Sequence, residues 1–214
     1  MKNKITRSIV KNSLALLMLA LPAGLILALV YTSSSGPIAE QQRLAQEALL
    51  AELFSDASYD NNLLEDRLSL DPQSDNFSNT ELLALRETSF AYRLRQRGQM
   101  SGIIIPAIAR DGYNGDIALL VAIRRNGEIS AVRVTRHRET PGLGDKIELP
   151  VSDWILGFES RSLENPDSPQ WTVKDAGGVF EQFTGATITP RAVTEKIRDV
   201  LQFYALNQDQ LADL

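Results

Sequence analysis

Residues 12–39 contain not one charged side chain, and no other stretch constrains the fold of this chain as strongly. Within them, residues 14–31 read LALLMLALPAGLILALVY. As a helix these eighteen residues rise about 27 Å, close to the hydrocarbon thickness of a bilayer. Pro22 and Gly24 are tolerated in a membrane helix and costly inside a soluble one. Lys2, Lys4, Arg7 and Lys11 precede the apolar run, and no positive charge follows until Arg43. The positive-inside rule then leaves the N-terminus in the cytoplasm and carries the rest of the chain across the membrane. A cleaved signal peptide is the alternative. Its n-region is present, and Ser33, Ser34 and Ser35 are small, but no A-x-A stands there and the apolar core exceeds the usual length of about 7–15 residues. Both readings put the body outside the cytoplasm.

The body beyond the span has ordinary globular composition, with 43% apolar and 23% charged residues over the whole chain, so disorder throughout is excluded. The absence of cysteine removes disulfides, iron–sulfur clusters, thiolate zinc sites, c-type haem attachment, lipoprotein anchoring and cysteine nucleophiles together. The single histidine, His137, excludes a multi-histidine metal site and leaves one route to a Ser-His-Asp triad. The net charge of −5 hides a split: four of the 22 basic residues precede the span, so the remainder sets 18 against 27 acidic residues. An acidic body argues against nucleic acid as a partner, because phosphate binding needs a basic face. No DxD or paired-carboxylate motif supports a metal-assisted hydrolase, whose site would need clustered oxygen ligands.

Residues 37–54 (PIAEQQRLAQEALLAELF) consist of helix formers after an early proline, and predict a helix leaving the membrane and docking on the body. Residues 56–79, rich in Asp, Asn and Ser, predict loops, with a further helix starting at Thr80. Ile103-Ile104-Ile105 is a short β-branched run ending at Pro106. Residues 117–123 (IALLVAI) form a continuous apolar run, the pattern of a strand buried on both faces. Asn126-Gly127 and the returning EISAVRVTR complete a β-hairpin over residues 116–136. Residues 151–158 predict a short helix, residues 171–174 a strand, and residues 190–206 the final helix, followed by a short acidic tail.

Two segments carry chemistry. Thr189 is a natural N-cap and Pro190 a natural first helical residue. A helix N-terminus presents free N–H groups and a positive dipole end, so a phosphate could sit there with the Thr187 hydroxyl beside it. Gly185 and Ala186 leave room for close approach. An ordinary capped helix after a tight turn accounts for the same residues. The second segment, Glu139-Thr140-Pro141-Gly142-Leu143-Gly144, is a fixed loop whose glycines let backbone press against a flat ring; a plain strand-to-helix connection is its alternative. His137 alone is more often a structural or surface histidine than a functional one.

Together HRETPGLG and, some 40 residues later, TGATIT-P resemble the covalent FMN-binding domain family. That family includes the G subunit of the Rnf electron transport complex and the C subunit of the sodium-translocating NADH:quinone reductase. A pattern of the [ST]-G-A-[ST] type arises by chance in roughly one chain in fifty at average residue usage; joined to ETPGLG, a hairpin, a single span and an acidic exported body, chance is a poor account. The resemblance implies FMN joined through its phosphate to Thr187, one per chain, by a separate flavin transferase using FAD. It implies that Thr184, Gly185, Ala186 and Thr189 surround the phosphate. It places Glu139, Thr140, Gly142 and Leu143 against the isoalloxazine ring. The family usually has Asp three residues before the motif, where this chain has Glu181.

The expected fold is α+β: one N-terminal transmembrane helix and one mixed FMN-binding domain with antiparallel strands. The expected boundaries are 1–36 for the cytoplasmic N-terminus and anchor, 37–99 for a helical and loop connection, 100–206 for the FMN-binding domain and 207–214 for the tail. The implied function is electron transfer in an Rnf-type ion-translocating oxidoreductase complex of the bacterial inner membrane. The domain would be periplasmic, with other membrane proteins of the complex as partners and no catalysis by the chain alone. The short body and the TITPRAV run favour this over the quinone reductase component. The rival from another class is a flavin-free anchored assembly module.

Overall fold

The computed structural model describes residues 2–54 and 59–213. The chain divides into two compact units, Met1–Ala48 and Leu49–Leu214.

The first unit is one helix. α1 (Lys2–Glu52) passes through Pro22 and Pro37 without a break. The apolar side chains of residues 14–31 stand exposed on every side, Leu19 at 72% and Tyr31 at 74%. α1 is long and apolar enough to cross a membrane. Where hydropathy falls, Thr32 and Ser33 turn their hydroxyls back onto the Ala28 and Leu29 carbonyls, and Arg43 bonds both Glu40 and Glu47. The sequence predicted a new helix at Pro37; α1 instead includes Pro37 in its interior, at the cost of one i→i−4 hydrogen bond.

The second unit is built on a five-stranded antiparallel meander in the order β1-β2-β3-β4-β5: β1 (Arg67–Leu70), β2 (Ser89–Gln96), β3 (Gln99–Gly112), β4 (Gly115–Arg124) and β5 (Ile129–Arg136). β1 and β2 fall in the stretch expected to be helices and loops. Charges interrupt their apolar pattern, and the fold neutralises them: Arg93 and Arg95 both pair with Asp66. β3 continues through Pro106, which pairs with Leu120 of β4. The β2 partner has already ended at Ile104, so Pro106 lies where β3 has one neighbour, the edge position a proline needs.

Side-chain alternation sorts the sheet into two cores. Ile103, Ile105, Ala107, Leu119, Val121 and Val132 face α2 (Ile188–Asp213), which contributes Val193, Ile197, Val200, Leu201 and Phe203. Ile104, Ala122 and Ala131 face the other way and pack with Leu50, Leu53 and Phe54. A Cβ on Gly102 would stand 2.7 Å from the Phe54 ring, so that glycine is what lets Phe54 lie on the sheet. β4 is therefore buried on both faces only at its end near Ala122. Nearer its start the second face lacks that cover, and Ala118 and Leu120 are half-buried.

The aromatic cluster Trp154, Phe158, Trp171, Phe180 and Phe183 replaces the strand expected at 171–174, of which only a bridge from Val173 to Phe180 exists. The predicted helices near Thr80 and Val151 are short 3-10 turns, Thr80–Leu83 and Asp153–Phe158. The expected tail is helical to Asp213. Leu211 is fully buried, and the buried Asn207 side chain accepts from Ser78 N at 2.7 Å and donates to Ser78 O at 2.9 Å.

Candidate functional site

Two loops meet at the start of α2. The first leaves β5 at His137 and reaches the 3-10 turn Asp145–Ile147. Its tip is closed by Leu143 N and Gly144 N donating to Thr140 O at 3.1 and 3.0 Å. The second is the tight turn from Phe183 to Ala186, whose N–H donates to Phe183 O at 3.0 Å. Gly185 sits there at φ +82, a backbone region that other residues adopt only with strain. The aromatic cluster holds this turn from beneath, with Trp154 packed on Phe183 and its indole N–H donating to Glu181 O at 2.8 Å.

Between the loops lies a cavity of about 430 Å³, lined by Tyr113, Glu139, Thr140, Leu143, Gly144, Gly185, Ala186, Thr187, Ile188 and Thr189. Of the nine residues singled out in the sequence, seven line it; Thr184 and Gly142 do not. Thr184 is exposed on the turn, and Gly142 provides the φ of +78 that the loop tip requires. Sequence reasoning missed Tyr113 and Ile188. The signal for Tyr113 was available: it is an aromatic residue held between two turn signals, Asp111-Gly112 and Asn114-Gly115.

The floor of the cavity is a buried carboxylate. Glu139 is only 5% exposed. Its Oε1 accepts from Asn114 N at 2.9 Å, and its Oε2 accepts the Thr189 hydroxyl. Thr189 is fully buried and lies inside the first turn of α2. Thr189 is thus not the N-cap that the sequence suggested: its hydroxyl is spent on Glu139, and the residue immediately ahead of α2 is Thr187. A Cβ on Gly144 would stand 2.9 Å from both Glu139 Cβ and Oε2 and 3.1 Å from Thr189 Oγ1. The open face of Gly144 is therefore filled by protein, whereas that of Gly142 meets nothing within 4 Å. Glu181 lies exposed and pairs with Lys174.

The arrangement fits a flavin mononucleotide. The volume falls in the range of small-ligand sites, about 300–1,000 Å³. Exposed apolar side chains ring the mouth: Tyr113, Leu143 and Ile188 are 67%, 44% and 48% exposed, a rim suited to the apolar face of a ring. Glycine at 185 is required by its backbone at φ +82, while a Cβ there would make only ordinary contact with Leu143 Cδ2 at 3.9 Å. Among the described residues no Lys or Arg lines the cavity, so an anion beside Thr187 depends on the N–H groups and dipole of the α2 N-terminus. Among the described residues, no cluster of His, Cys, Asp and Glu could hold a metal ion.

Comparison with known proteins points to the same cofactor. A family model described as FMN-binding domain matches residues 112–202, and one described as RnfG N-terminal region matches residues 1–53. The G subunit of an ion-translocating oxidoreductase complex from Pseudomonas aeruginosa is 43% identical over 205 residues, 96% of this chain and 92% of that protein. Its counterpart from Shewanella loihica is 40% identical over 96% and 93%. A crystal structure of Shewanella oneidensis NqrC is 21% identical, with a TM-score of 0.47 over 71% of this chain and 74% of that one. Identity of about two residues in five, along nearly the whole length of both proteins, assigns the chain to the G-subunit family of ion-translocating oxidoreductase complexes, with a membrane-type N-terminal helix and an FMN-binding domain.

Proposed function

We propose that this chain carries electrons within an Rnf-type ion-translocating oxidoreductase complex through FMN joined covalently to Thr187. The observation that carries the reading is the cavity in which Thr187 meets the Glu139–Gly144 loop at the start of a 26-residue helix. FMN, when bound, supplies the redox chemistry that no side chain of this chain possesses. Thr187 offers the hydroxyl for the phosphoester, and a diester phosphate keeps one negative charge for the helix N-terminus to stabilise. Gly185 and Ala186 shape the phosphate end, on the turn that carries Thr184, with Thr189 bonded to Glu139 beside them. Glu139, Thr140 and Leu143 fix the ring end, on a loop whose tip Gly142 shapes, with Leu143 covering a ring face and the Thr140 hydroxyl, which accepts from Asn114 Nδ2, left to donate to its edge. Tyr113 and Ile188 close the mouth against water.

The attachment needs a separate flavin transferase with FAD as donor, and the remaining partners are the other membrane proteins of the complex. The four positive charges before the span support a cytoplasmic N-terminus and a periplasmic domain in a bacterial inner membrane. The test is flavin fluorescence in a denaturing gel. Thr187→Ala abolishes the fluorescent band, while Thr184→Ala and Thr189→Ala keep it. A fluorescent Thr187→Ala band overturns the assignment. Alkaline phosphatase fused after Leu214 is active in cells; an inactive fusion reverses the topology.

A further inference from the structure

His137 stands at the neck of the loop that forms one wall of the cavity, and its two ring nitrogens make different bonds. Nδ1 accepts the Glu139 backbone N–H at 2.9 Å. Nε2 is bonded to the Glu148 carboxylate. A protonated Nδ1 could not accept that N–H, so the geometry requires the proton on Nε2, donated to Glu148. The loop is thereby fastened twice: His137 to Glu148 ties its two ends together, and Nδ1 closes a turn on the residue two positions along. Both ends are on fixed structure. β5 ends at Arg136, and Glu148 follows a 3-10 turn whose Ile147 is fully buried. Glu148 shares a second cavity, of about 490 Å³, with Arg133 and Glu52, but those two pair with each other at 2.9 Å, which leaves the Glu148 carboxylate to the imidazole.

We infer that His137 is the positioning residue of the flavin site: its Nδ1, kept as an acceptor by Glu148 at Nε2, holds the Glu139 amide and so aims the Glu139 carboxylate at Asn114 N–H and the Thr189 hydroxyl. The inference rests on the proposed flavin site for its meaning, though the contacts belong to the chain itself. His137 touches neither ring nor phosphate. Its effect passes through Glu139, which spans from the loop to the first turn of α2, the two walls of the cavity.

The relation between His137 Nδ1 and Glu139 N is that of an Asx turn, in which an Asn side-chain oxygen at the first position accepts the N–H two residues later. That supplies a conservative rescue. Hydrogen exchange is measured on the full-length chain in detergent, in the flavin-free Thr187→Ala form. His137→Leu speeds exchange of the Glu139 amide roughly five- to tenfold, the loss of one hydrogen bond; His137→Asn restores slow exchange; Glu148→Leu falls between. In the flavinylated chain the absorption maximum and midpoint potential of the flavin move in His137→Leu and return in His137→Asn. Should His137→Leu not fold, Glu148→Leu and His137→Asn carry the test. The inference is overturned if His137→Leu leaves the exchange of Glu139 unchanged, or if His137→Asn exchanges as fast as His137→Leu. Absence of flavin from the parent chain would instead overturn the attachment at Thr187, and the exchange measurement would still decide the role of His137.

Discussion

Gly144→Ala tests whether the glycine of the loop serves protein packing rather than ligand approach. The Gly144 backbone lies at φ −90 and ψ −15, a region alanine occupies freely. Backbone entropy alone would then make the substitution stabilising by about 0.4–1 kcal/mol. Sterics act in the opposite direction. The added Cβ would stand 2.9 Å from Glu139 Cβ, against an optimal carbon contact of about 3.5–4.0 Å. Glu139 has no slack to yield, since its amide is held by His137 and its two oxygens by Asn114 and Thr189. Overpacking of this kind costs about 1–3 kcal/mol. Losing the Thr189 hydroxyl bond to a buried carboxylate adds about 1–3 kcal/mol. The expected destabilisation is roughly 2–5 kcal/mol, a large share of a typical stability of about 5–15 kcal/mol. Urea unfolding of the full chain in mild detergent, followed by tryptophan fluorescence, reads it directly, because both tryptophans, Trp154 and Trp171, belong to the second unit. A cycle with Thr189→Val locates the cause: if Gly144→Ala acts through the Glu139–Thr189 bond, the two costs fall short of additive by about 1 kcal/mol or more. A neutral or stabilising Gly144→Ala, or strict additivity, refutes the reasoning.

Thr189→Val on its own is expected to cost about 1–3 kcal/mol, for the unsatisfied Glu139 oxygen, while the flavin stays attached; loss of the fluorescent band would move the attachment to Thr189. Leu143→Ala is expected to shift the flavin absorption spectrum without releasing the flavin, and an unchanged spectrum would place the ring away from the loop. Glu139→Gln removes one negative charge and is expected to raise the flavin midpoint potential; a lowered potential contradicts it. The Asp116 carboxyl is held below its ordinary value chiefly by the hydrogen bond from Arg86, with the positive charges of Arg86, Arg110 and Arg136 adding to it. Its contribution to stability is therefore complete above the ordinary carboxylate range and is lost as pH falls through the depressed value. Being exposed and screened, it is small, and the stability gap between the parent chain and Asp116→Asn closes in acid and in high salt; a gap that widens in acid sinks the assignment.

The parts of this fold legible in the sequence are those whose signals are local. The β4–β5 hairpin could be read because Asn126-Gly127 marks a turn between β-branched runs, and the structure puts Gly127 at φ +86 there. β2 could not, because Arg93 reads as surface until its partner Asp66, 27 residues earlier, is known. The strand expected at 171–174 failed because Trp171 satisfies an aromatic cluster as well as it would a sheet, leaving Val173 a single bridge to Phe180. The same division runs through the site. TGAT and ETPGLG each stand out as short patterns, yet the bond that joins them, from Thr189 to Glu139, crosses 50 residues. The reason for glycine at 144 is equally non-local, since the atoms that exclude a Cβ come from both partners.

The meander has a consequence for the order in which the domain is assembled. Each strand pairs with its neighbour in sequence, so the sheet can grow hairpin by hairpin as the chain emerges from its N-terminal side. One face of that sheet nevertheless stays bare until α2, the last element, arrives to cover Ile103, Ile105 and Leu119. Glu139 waits for Thr189 over the same interval. The threonine proposed for flavin attachment stands between the nascent sheet and its lid, so a modifying enzyme would meet a finished acceptor surface only once α2 has docked. A chain stopped short of Leu211 lacks the buried residue that fastens the end of that lid, and it would reach the enzyme with its acceptor hydroxyl present and the surrounding surface unformed.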